Sequence, residues 1–224
     1  MTACALILDF GGPILVTPFE VLRRFERRRG LESGTFEWTG PFDPDRDPLW
    51  RRVVAAEIDQ PAYWAARAAD AAAMTNIGEG SGNSGIRGLM AELYPCTDID
   101  SAIRPPVYET VRAARAAGLR TAVLTNDLAS FYSDEWISRA RVLEEFDVVI
   151  DGSIAGVFKP DPAAYRLTLE ALEVTADQAL FVDDHAPNVE GARAMGMRAM
   201  LFDVTRPAQS YREIGWSLGL DPRP

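Results

Sequence analysis

Residues 4–13 read CALILDFGGP, the pattern of an apolar strand followed by a glycine-rich turn. An apolar run over residues 4–8 ends at Asp9 and is stopped by two glycines and a proline. Such a short run is typical of a strand buried on both faces, as in a parallel sheet. The same pattern recurs further along the chain, and we therefore predict four more strands, at residues 121–124, 147–150, 179–182 and 197–201.

Helical patterns separate the later strands. Proline near the start and glycine just past the end mark several of these segments, as expected for helix boundaries. We predict helices at 105–117, within 128–145, at 162–172 and at 187–195, and a terminal helix or loop over 203–224. Strands that alternate with helices predict an α/β fold with a Rossmann-like parallel sheet.

Residues 16–100 interrupt this alternation. Thr17 and Glu20 form a capping-box pattern at the start of a helix that ends near Gly30. More helical patterns follow at 49–58, 61–74 and 86–93. A long insert after the first strand stands over the edge of the sheet where α/β proteins bind ligands. We predict an α/β core of residues 1–15 and 101–224 with a helical cap domain of residues 16–100.

The charged residues exclude several functions. The 224-residue chain has 23 Lys and Arg against 33 Asp and Glu, a net charge of -10. Electrostatic repulsion between this negative charge and other anions disfavours binding to nucleic acid or to an anionic membrane surface. Lys159 is the only lysine and His185 the only histidine. Mechanisms that need two lysines or two histidines are therefore excluded.

Other sequence features predict a soluble, cytoplasmic protein. No apolar run is long enough to cross a bilayer, and the N-terminus lacks the pattern of a signal peptide. The two cysteines lack the spacing of metal ligands and do not indicate a disulfide framework. A GxGxxG pattern at residues 80–85 follows a helical stretch instead of a strand, so we expect a loop there and not a dinucleotide site.

Polar side chains follow two of the predicted strands directly. Asp9 lies where the first strand meets a glycine-rich turn, whose amides from Phe10 to Gly12 are available to an anion. A carboxylate in this position suits a nucleophile or a metal ligand. Thr125 and Asn126 end the second strand and can donate to a phosphoryl oxygen.

The later strands add a cation and two carboxylates. Lys159 follows the third strand, while Asp183 and Asp184 end the fourth and precede Asn188. Adjacent carboxylates do not both stay ionised at low cost without a cation, and hard oxygen ligands suit Mg²⁺. The strand ends thus predict a magnesium and phosphate site.

Taken together, four motifs resemble those of the haloacid dehalogenase superfamily of hydrolases, in the family's order and spacing and with a helical cap after the first strand. They are LILDFGGPI, AVLTN, GVFKPDPAAY and LFVDDHAPNV, which begin at residues 6, 122, 156 and 180. The resemblance implies a Rossmann-like core, Mg²⁺ dependence and an aspartyl-phosphate intermediate. It points to hydrolysis of a small phosphorylated metabolite.

The resemblance also implies roles for individual residues. Asp9 would be the nucleophile and a metal ligand, and Gly11 would offer its carbonyl oxygen to the metal. Thr125 and the Asn126 amide would hold phosphate, and Lys159 would neutralise the reacting groups. Asp184 would bind Mg²⁺, and Asp183 and Asn188 would support that site.

Gly11 departs from the pattern of the typical phosphatases in the family. They carry a second Asp here, which protonates the leaving group and then activates water. Losing a general acid and base usually costs on the order of 10² to 10⁴ in rate. A substrate with a good leaving group would need less help, and His185 is the side chain that could substitute.

Three alternatives follow from Gly11. The phosphonoacetaldehyde hydrolases need a second lysine in the cap, and residues 16–100 of this chain contain no lysine. The 2-haloacid dehalogenases carry Tyr at this position and use no metal, which leaves Asp183 and Asp184 poorly explained. A phosphate-binding or regulatory protein without turnover would not need Asp9 in an attacking position. The sequence therefore favours a phosphatase, with the last two readings kept as alternatives and the oligomeric state open.

Three tryptophans of the predicted cap bear on substrate binding. Trp50 and Trp64 fit the apolar stripes of predicted helices, so we expect them in the core of the cap. Trp38 lies in a loop and is the one we expect to line the site.

Overall fold

A single parallel sheet forms the centre of the molecule. The computed structural model describes residues 3–75 and 85–220. Its five strands lie in the order β3-β2-β1-β4-β5 and all pair in parallel. They are β1 (Ala5–Leu8), β2 (Arg120–Thr125), β3 (Val148–Asp151), β4 (Ala179–Asp183) and β5 (Arg198–Leu201). The predicted α/β fold class is confirmed.

The helices of the described residues fall into two groups. Between β1 and β2 lie α1 (Pro18–Arg28), α2 (Pro48–Val54), α3 (Gln60–Thr75), α4 (Gly85–Leu93) and α5 (Pro105–Ala116). After β2 come α6 (Leu128–Phe131), α7 (Asp134–Arg139), α8 (Gly152–Ala155), α9 (Pro162–Leu172), α10 (Ala186–Ala194) and α11 (Pro207–Leu218). Of the predicted loop at residues 80–85, all but Gly85 lies outside the described residues.

Strand β1 is buried on both faces, as its unbroken apolar sequence predicts. Successive side chains of a strand point to opposite faces. Accordingly Leu6 and Leu8 join one hydrophobic cluster, while Ala5 and Ile7 join another formed with α9 and α10. The first cluster also contains buried residues of the inserted helices, so the insert and one face of the sheet share a continuous apolar core.

One predicted helix is shorter in the structure, and one predicted helical segment contains two helices. The helix predicted at 49–58 ends at Val54, because Ala56 adopts a left-handed conformation with φ of 56°. The segment within 128–145 contains two short helices, α6 and α7. Ser133 separates them in an extended conformation, and its hydroxyl accepts a hydrogen bond from the backbone N–H of Trp136 at 3.2 Å.

The strand order places a crevice beside β1. The chain moves from β1 to β2 and β3 on one side, and β4 and β5 lie on the other. Open α/β sheets bind ligands where the order reverses, outside the carboxyl ends of the strands. The backbone N–H of Asp9 donates to the carbonyl of Val182 at 2.8 Å, which holds the end of β1 against β4. In the described part of the chain, no helix is both long and apolar enough to span a membrane.

Candidate active site

Lys159 links the ends of β1 and β4. Its Nζ lies 2.7 Å from Oδ1 of Asp9 and 2.6 Å from Oδ2 of Asp183. The lysine is only 5% exposed, and burial opposes its charge, but Asp183 and Asp9 outweigh burial and hold its pKa above its ordinary value. The single lysine of the chain is therefore a buried ammonium held between two carboxylates.

Asp183 is fully buried, and both of its carboxylate oxygens accept hydrogen bonds from the protein. Besides Lys159, its Oδ2 accepts the side-chain amide of Asn188 at 3.0 Å. Its Oδ1 accepts the backbone N–H of His185 at 2.8 Å. These bonds fit a residue that positions Lys159 better than one that coordinates a metal directly, although its carboxylate lies in the acidic cluster.

Asp184 packs against the turn after β1. Gly12 has φ of 78°, and a Cβ placed there would lie 2.6 Å from Cγ of Asp184. No side chain fits at that distance, and the backbone conformation also favours glycine. Gly12 is thus required for the close approach of this turn to the Asp184 carboxylate.

Asp9, Asp183 and Asp184 form one acidic cluster. Each offers a carboxylate oxygen, and the three oxygens lie within 4.8 Å of one another. Burial raises the pKa of Asp9 to about 7, against the attraction of Lys159. Burial and the neighbouring Asp183 also raise the pKa of Asp184 well above its ordinary value. The site therefore favours protons or a cation at these oxygens.

The charges and the unused acceptors of this cluster fit a divalent cation. Three carboxylates and one ammonium leave a net charge of two negatives when all are ionised. Oδ1 of Asn188, in a residue 5% exposed, is a buried acceptor for which the described residues supply no donor. Carboxylate and amide oxygens are the ligands that Mg²⁺ takes in proteins.

Asn126 holds the backbone of Lys159. Its Oδ1 accepts the N–H of Lys159 at 2.7 Å, and its Nδ2 donates to the carbonyl of Lys159 at 3.0 Å. This pair of bonds fixes the loop that carries the ammonium. The sequence suggested a phosphate contact for Asn126, whereas its side chain has this positioning role.

Asp127 is a site residue that the sequence analysis missed. It lines the cavity beside Asp9, and its carboxylate is hydrogen-bonded to the Thr125 side chain. Burial raises the pKa of Asp127 to about 6, although Lys159 opposes this shift. Its signal in the sequence is a polar residue directly after Asn126, at the same strand end. Thr125 itself is 2% exposed and lies beneath the cavity lining.

A cavity of about 740 Å³ opens above the cluster. Asp9, Gly11, Gly12, Lys159 and Asp184 lie in its lining, together with His185 and residues of the inserted segment. Nδ1 of His185 lies 3.3 Å from Nε2 of Gln60, at the start of α3. Burial lowers the pKa of His185, so the neutral ring dominates at neutral pH.

Gly11 differs from Gly12 in the space around it. A Cβ at Gly11 would have Oδ2 of Asp9 at 3.8 Å, which is ordinary van der Waals contact. The residue is exposed and lines the cavity. A side chain is sterically acceptable here, so its absence is a property of this sequence and not a demand of the backbone.

The structure corrects our expectation for the tryptophans. Trp38 is 6% exposed, packs on Phe36 with ring centroids 4.6 Å apart, and carries the Arg67 guanidinium over its ring. Trp50 and Trp64 line the cavity while also packing with the apolar core. A helix face that lines a cavity carries the same apolar stripe as a helix face that packs in a core. The sequence pattern therefore could not distinguish a cavity-lining tryptophan from a core tryptophan.

The sequence matches the haloacid dehalogenase-like hydrolase family over residues 7–196, and the chain belongs to that family. Over 99 residues it is 40% identical to Phosphatase MT3486 of Mycobacterium tuberculosis, covering 44% of this chain and 46% of that protein. It is 28% identical over 217 residues to mouse acyl-CoA dehydrogenase family member 10, covering 96% of this chain but only 19% of that protein. The chain thus spans less than half the length of both relatives.

A solved structure agrees on the fold. The putative hydrolase YfnB of Bacillus subtilis, solved with bound magnesium, superposes with a TM-score of 0.61 at 13% identity. The alignment covers 90% of this chain and 87% of YfnB. The chain therefore has the fold of this family, and phosphatases are among its relatives.

Proposed function

We propose that this protein is a Mg²⁺-dependent phosphatase that cleaves a small phosphorylated metabolite through an aspartyl-phosphate on Asp9. The observation that carries the proposal is the cluster of Asp9, Asp183 and Asp184 around Lys159, in which Asp183 is buried and the other two carboxylates face the cavity. A carboxylate whose pKa is about 7 is only partly ionised at neutral pH, which makes it a poor nucleophile. A divalent cation at the cluster favours ionisation of that carboxylate.

The metal would be held by side chains of Asp9 and Asp184, with the carbonyl of Gly11 and Oδ1 of Asn188 as further oxygen ligands. When bound, Mg²⁺ supplies positive charge to the phosphoryl oxygens and to the nucleophilic carboxylate. Asp183 would act through Lys159, because both of its oxygens already accept protein hydrogen bonds. The roles implied by the family resemblance thus stay the same for Asp9, Gly11 and Asp184 and change for Asp183.

The first chemical step would use Asp9. Its carboxylate oxygen attacks phosphorus, the bond from phosphorus to the ester oxygen breaks, and the alcohol oxygen leaves with the electron pair. Lys159 balances the charge of the Asp9 carboxylate and of the phosphoryl group at 2.7 Å from Oδ1. Backbone N–H groups of Phe10, Gly11 and Asn126 would hold the phosphoryl oxygens, with Thr125 supporting that loop, whereas the N–H of Gly12 already donates to the carbonyl of Leu15 at 2.9 Å.

In the second step, water attacks phosphorus and the bond to Asp9 breaks, which releases phosphate and restores the carboxylate. Gly11 provides no acid for the first step and no base for the second. The leaving oxygen would take its proton from solvent or from a cavity side chain, for which His185 and Asp127 are the candidates. Poor leaving groups should therefore react slowly.

The inserted residues 16–100 would serve as the cap domain of this phosphatase. Helices α1 to α4 of that segment supply much of the cavity lining above the carboxylates. A substrate bound at Asp9 would place its leaving group among them. The cap would thus set which alcohol is accepted, while the α/β core would carry the chemistry.

The test is release of phosphate from p-nitrophenyl phosphate with and without Mg²⁺. We expect slow, Mg²⁺-dependent turnover that is lost in Asp9→Asn. The matched control is Asp134→Asn, the same change at an exposed position, which should keep full activity. Equal turnover in Asp9→Asn would remove Asp9 from the mechanism.

Two other outcomes would favour the alternative functions. Binding of Mg²⁺ and phosphate without turnover on a panel of phosphorylated metabolites would indicate a regulatory or binding protein. Metal-independent release of halide from a 2-haloacid would indicate a dehalogenase. The acidic cluster argues against the dehalogenase, because metal-free catalysis would leave three clustered carboxylates with one ammonium.

A further inference from the structure

The cavity has a charged end and an apolar body. The charged end holds Asp9, Lys159 and Asp184, as described above. The inserted helices line much of the rest, with Phe19, Trp50, Val53, Trp64, Ile86 and Met90, and Phe131, Tyr132 and Phe158 from later in the chain add further aromatic rings. Because the two parts are continuous, the alcohol of a phosphate ester held at Asp9 extends into the apolar part.

The aromatic side chains of the apolar part pack against one another and form its wall. The ring of Phe19 lies 5.2 Å from those of Trp50 and Trp64, measured between centroids. Gly40, with φ of 51°, supports this ring, since a Cβ there would lie 2.4 Å from Cζ of Phe19. Packed aromatic rings of this kind form a preorganised surface and lose little entropy when a ligand binds.

Positive charge is confined to one end. Among the described residues, Lys159 and His185 are the basic side chains in the lining, and no arginine joins them. Residues 76–84 contain no Lys, Arg or His in the sequence. Two arginines outside the lining are already paired with carboxylates: the half-buried Arg67 with Asp47 and the buried Arg104 with Glu20.

A second anionic group on the substrate would therefore find no partner in the apolar part. It would meet aromatic rings, and the acidic residues Asp59 and Asp127 also lie in the lining. Burying an unpaired charge among apolar groups is strongly unfavourable. A polyol would place hydroxyl groups against these rings, and the polar side chains of the lining away from the charged end, among them Thr17, Gln60 and Ser130, would satisfy only some of them.

We propose that the substrate is the phosphate monoester of an apolar alcohol, alkyl or aryl, with its phosphate as the only anionic group. This inference rests on the proposed phosphatase function and names its substrate class. A cavity of about 740 Å³ has room for an alcohol of six or more carbons beside the phosphate. Sugar phosphates, phosphoamino acids and bisphosphates are disfavoured.

The experiment compares propyl, butyl and hexyl phosphate, whose leaving groups have similar basicity, by Mg²⁺-dependent phosphate release. Each buried methylene should raise kcat/KM about threefold, or roughly 30-fold from propyl to hexyl, mainly through KM. The matched compound 6-phosphooxyhexanoate, which adds a carboxylate at the far end, should fall to the level of propyl phosphate or below. A flat series, or equal use of the carboxylate compound, would overturn the inference.

Two variants locate the apolar subsite. Trp50→Ala should lower kcat/KM for hexyl phosphate more than for propyl phosphate, whereas Trp216→Ala, at a 61% exposed position on α11, should change neither. Ile86→Arg adds the cation that this part lacks and should raise the rate with 6-phosphooxyhexanoate while lowering that with hexyl phosphate. Circular dichroism checks that each variant is folded. An unchanged chain-length dependence in both lining variants would contradict the assignment.

Failure of the underlying phosphatase function would look different. In that case no ester, p-nitrophenyl phosphate included, would release phosphate. The subsite is then tested by calorimetric binding of hexyl and propyl phosphate in the presence of Mg²⁺. Tighter binding of hexyl phosphate would support the apolar subsite, and equal affinity would overturn it.

Discussion

Replacing Gly11 with Asp restores the acid that typical phosphatases of the family carry at this position. The Cβ would stand 3.8 Å from Oδ2 of Asp9, so the side chain enters the cavity without a clash. A positioned general acid contributes about 10² to 10⁴ in rate. The new carboxyl lacks partners that fix its orientation, so we expect a gain of about 10- to 100-fold for an alkyl phosphate.

The gain should depend on the leaving group. Nitrophenolate leaves without protonation, so p-nitrophenyl phosphate should gain less than about fivefold. A fourth carboxylate about 5 Å from another costs about 3 kcal/mol at an effective dielectric constant of 20, so the assay needs saturating Mg²⁺. We would measure kcat/KM for hexyl and p-nitrophenyl phosphate in the wild type, Gly11→Asp and Gly11→Asn.

The asparagine variant is the control for size, because it matches Asp in shape but cannot donate a proton as an acid. Equal effects of Asp and Asn on both substrates would refute the reasoning. A uniform loss in both variants would mean that glycine is needed here for the backbone or for access, and that the missing acid does not limit the rate.

Three further predictions concern the acidic cluster. Gly12→Ala should weaken Mg²⁺ binding at least tenfold, measured by calorimetry, because its Cβ would displace Asp184, whereas Gly11→Ala should change affinity little. Lys159→Arg should lower kcat at least 100-fold in the phosphate-release assay, because a planar guanidinium does not fit a buried site built around one nitrogen with contacts of 2.7 and 2.6 Å. Equal kcat would show that only the charge matters. Without metal, Tm should fall as the pH is raised from about 5 to about 8. The reason is that the folded protein keeps protons on Asp9 and Asp184 that the unfolded chain has already lost. Mg²⁺ should therefore raise Tm more at the higher pH. A metal-free Tm that rises over this range would contradict the raised pKa values, although His185 titrates in the opposite sense.

The apolar strands and their terminal polar residues were readable from the sequence. A parallel strand that is buried on both faces needs apolar side chains throughout. The four apolar residues 5–8, followed closely by Gly11 and Gly12, therefore predict such a strand. Because the carboxyl ends of parallel strands meet at one edge, the order of the motifs also predicted that Asp9, Lys159 and Asp183 come together. The observed contacts agree with that expectation.

Contacts between distant side chains could not be read in this way. Both Asn126 and Asp127 follow β2, but only three-dimensional packing turns the first toward the Lys159 backbone and brings the second into the cavity lining. Trp38 and Trp50 likewise depend on how the inserted helices pack. A local sequence pattern indicates that a side chain is apolar. It does not indicate whether that side chain packs against another side chain or faces a cavity.

The most direct test of the account is a search for a phosphoryl group on Asp9. Enzyme mixed with p-nitrophenyl phosphate and Mg²⁺ is quenched in acid within one turnover, digested, and analysed by mass spectrometry. Because Gly11 supplies no base for the second step, we predict an initial burst of nitrophenolate and a phosphorylated peptide containing Asp9, both absent in Asp9→Asn. Mg²⁺-dependent turnover with no phosphoryl group on Asp9, and with undiminished rate in Asp9→Asn, would contradict it.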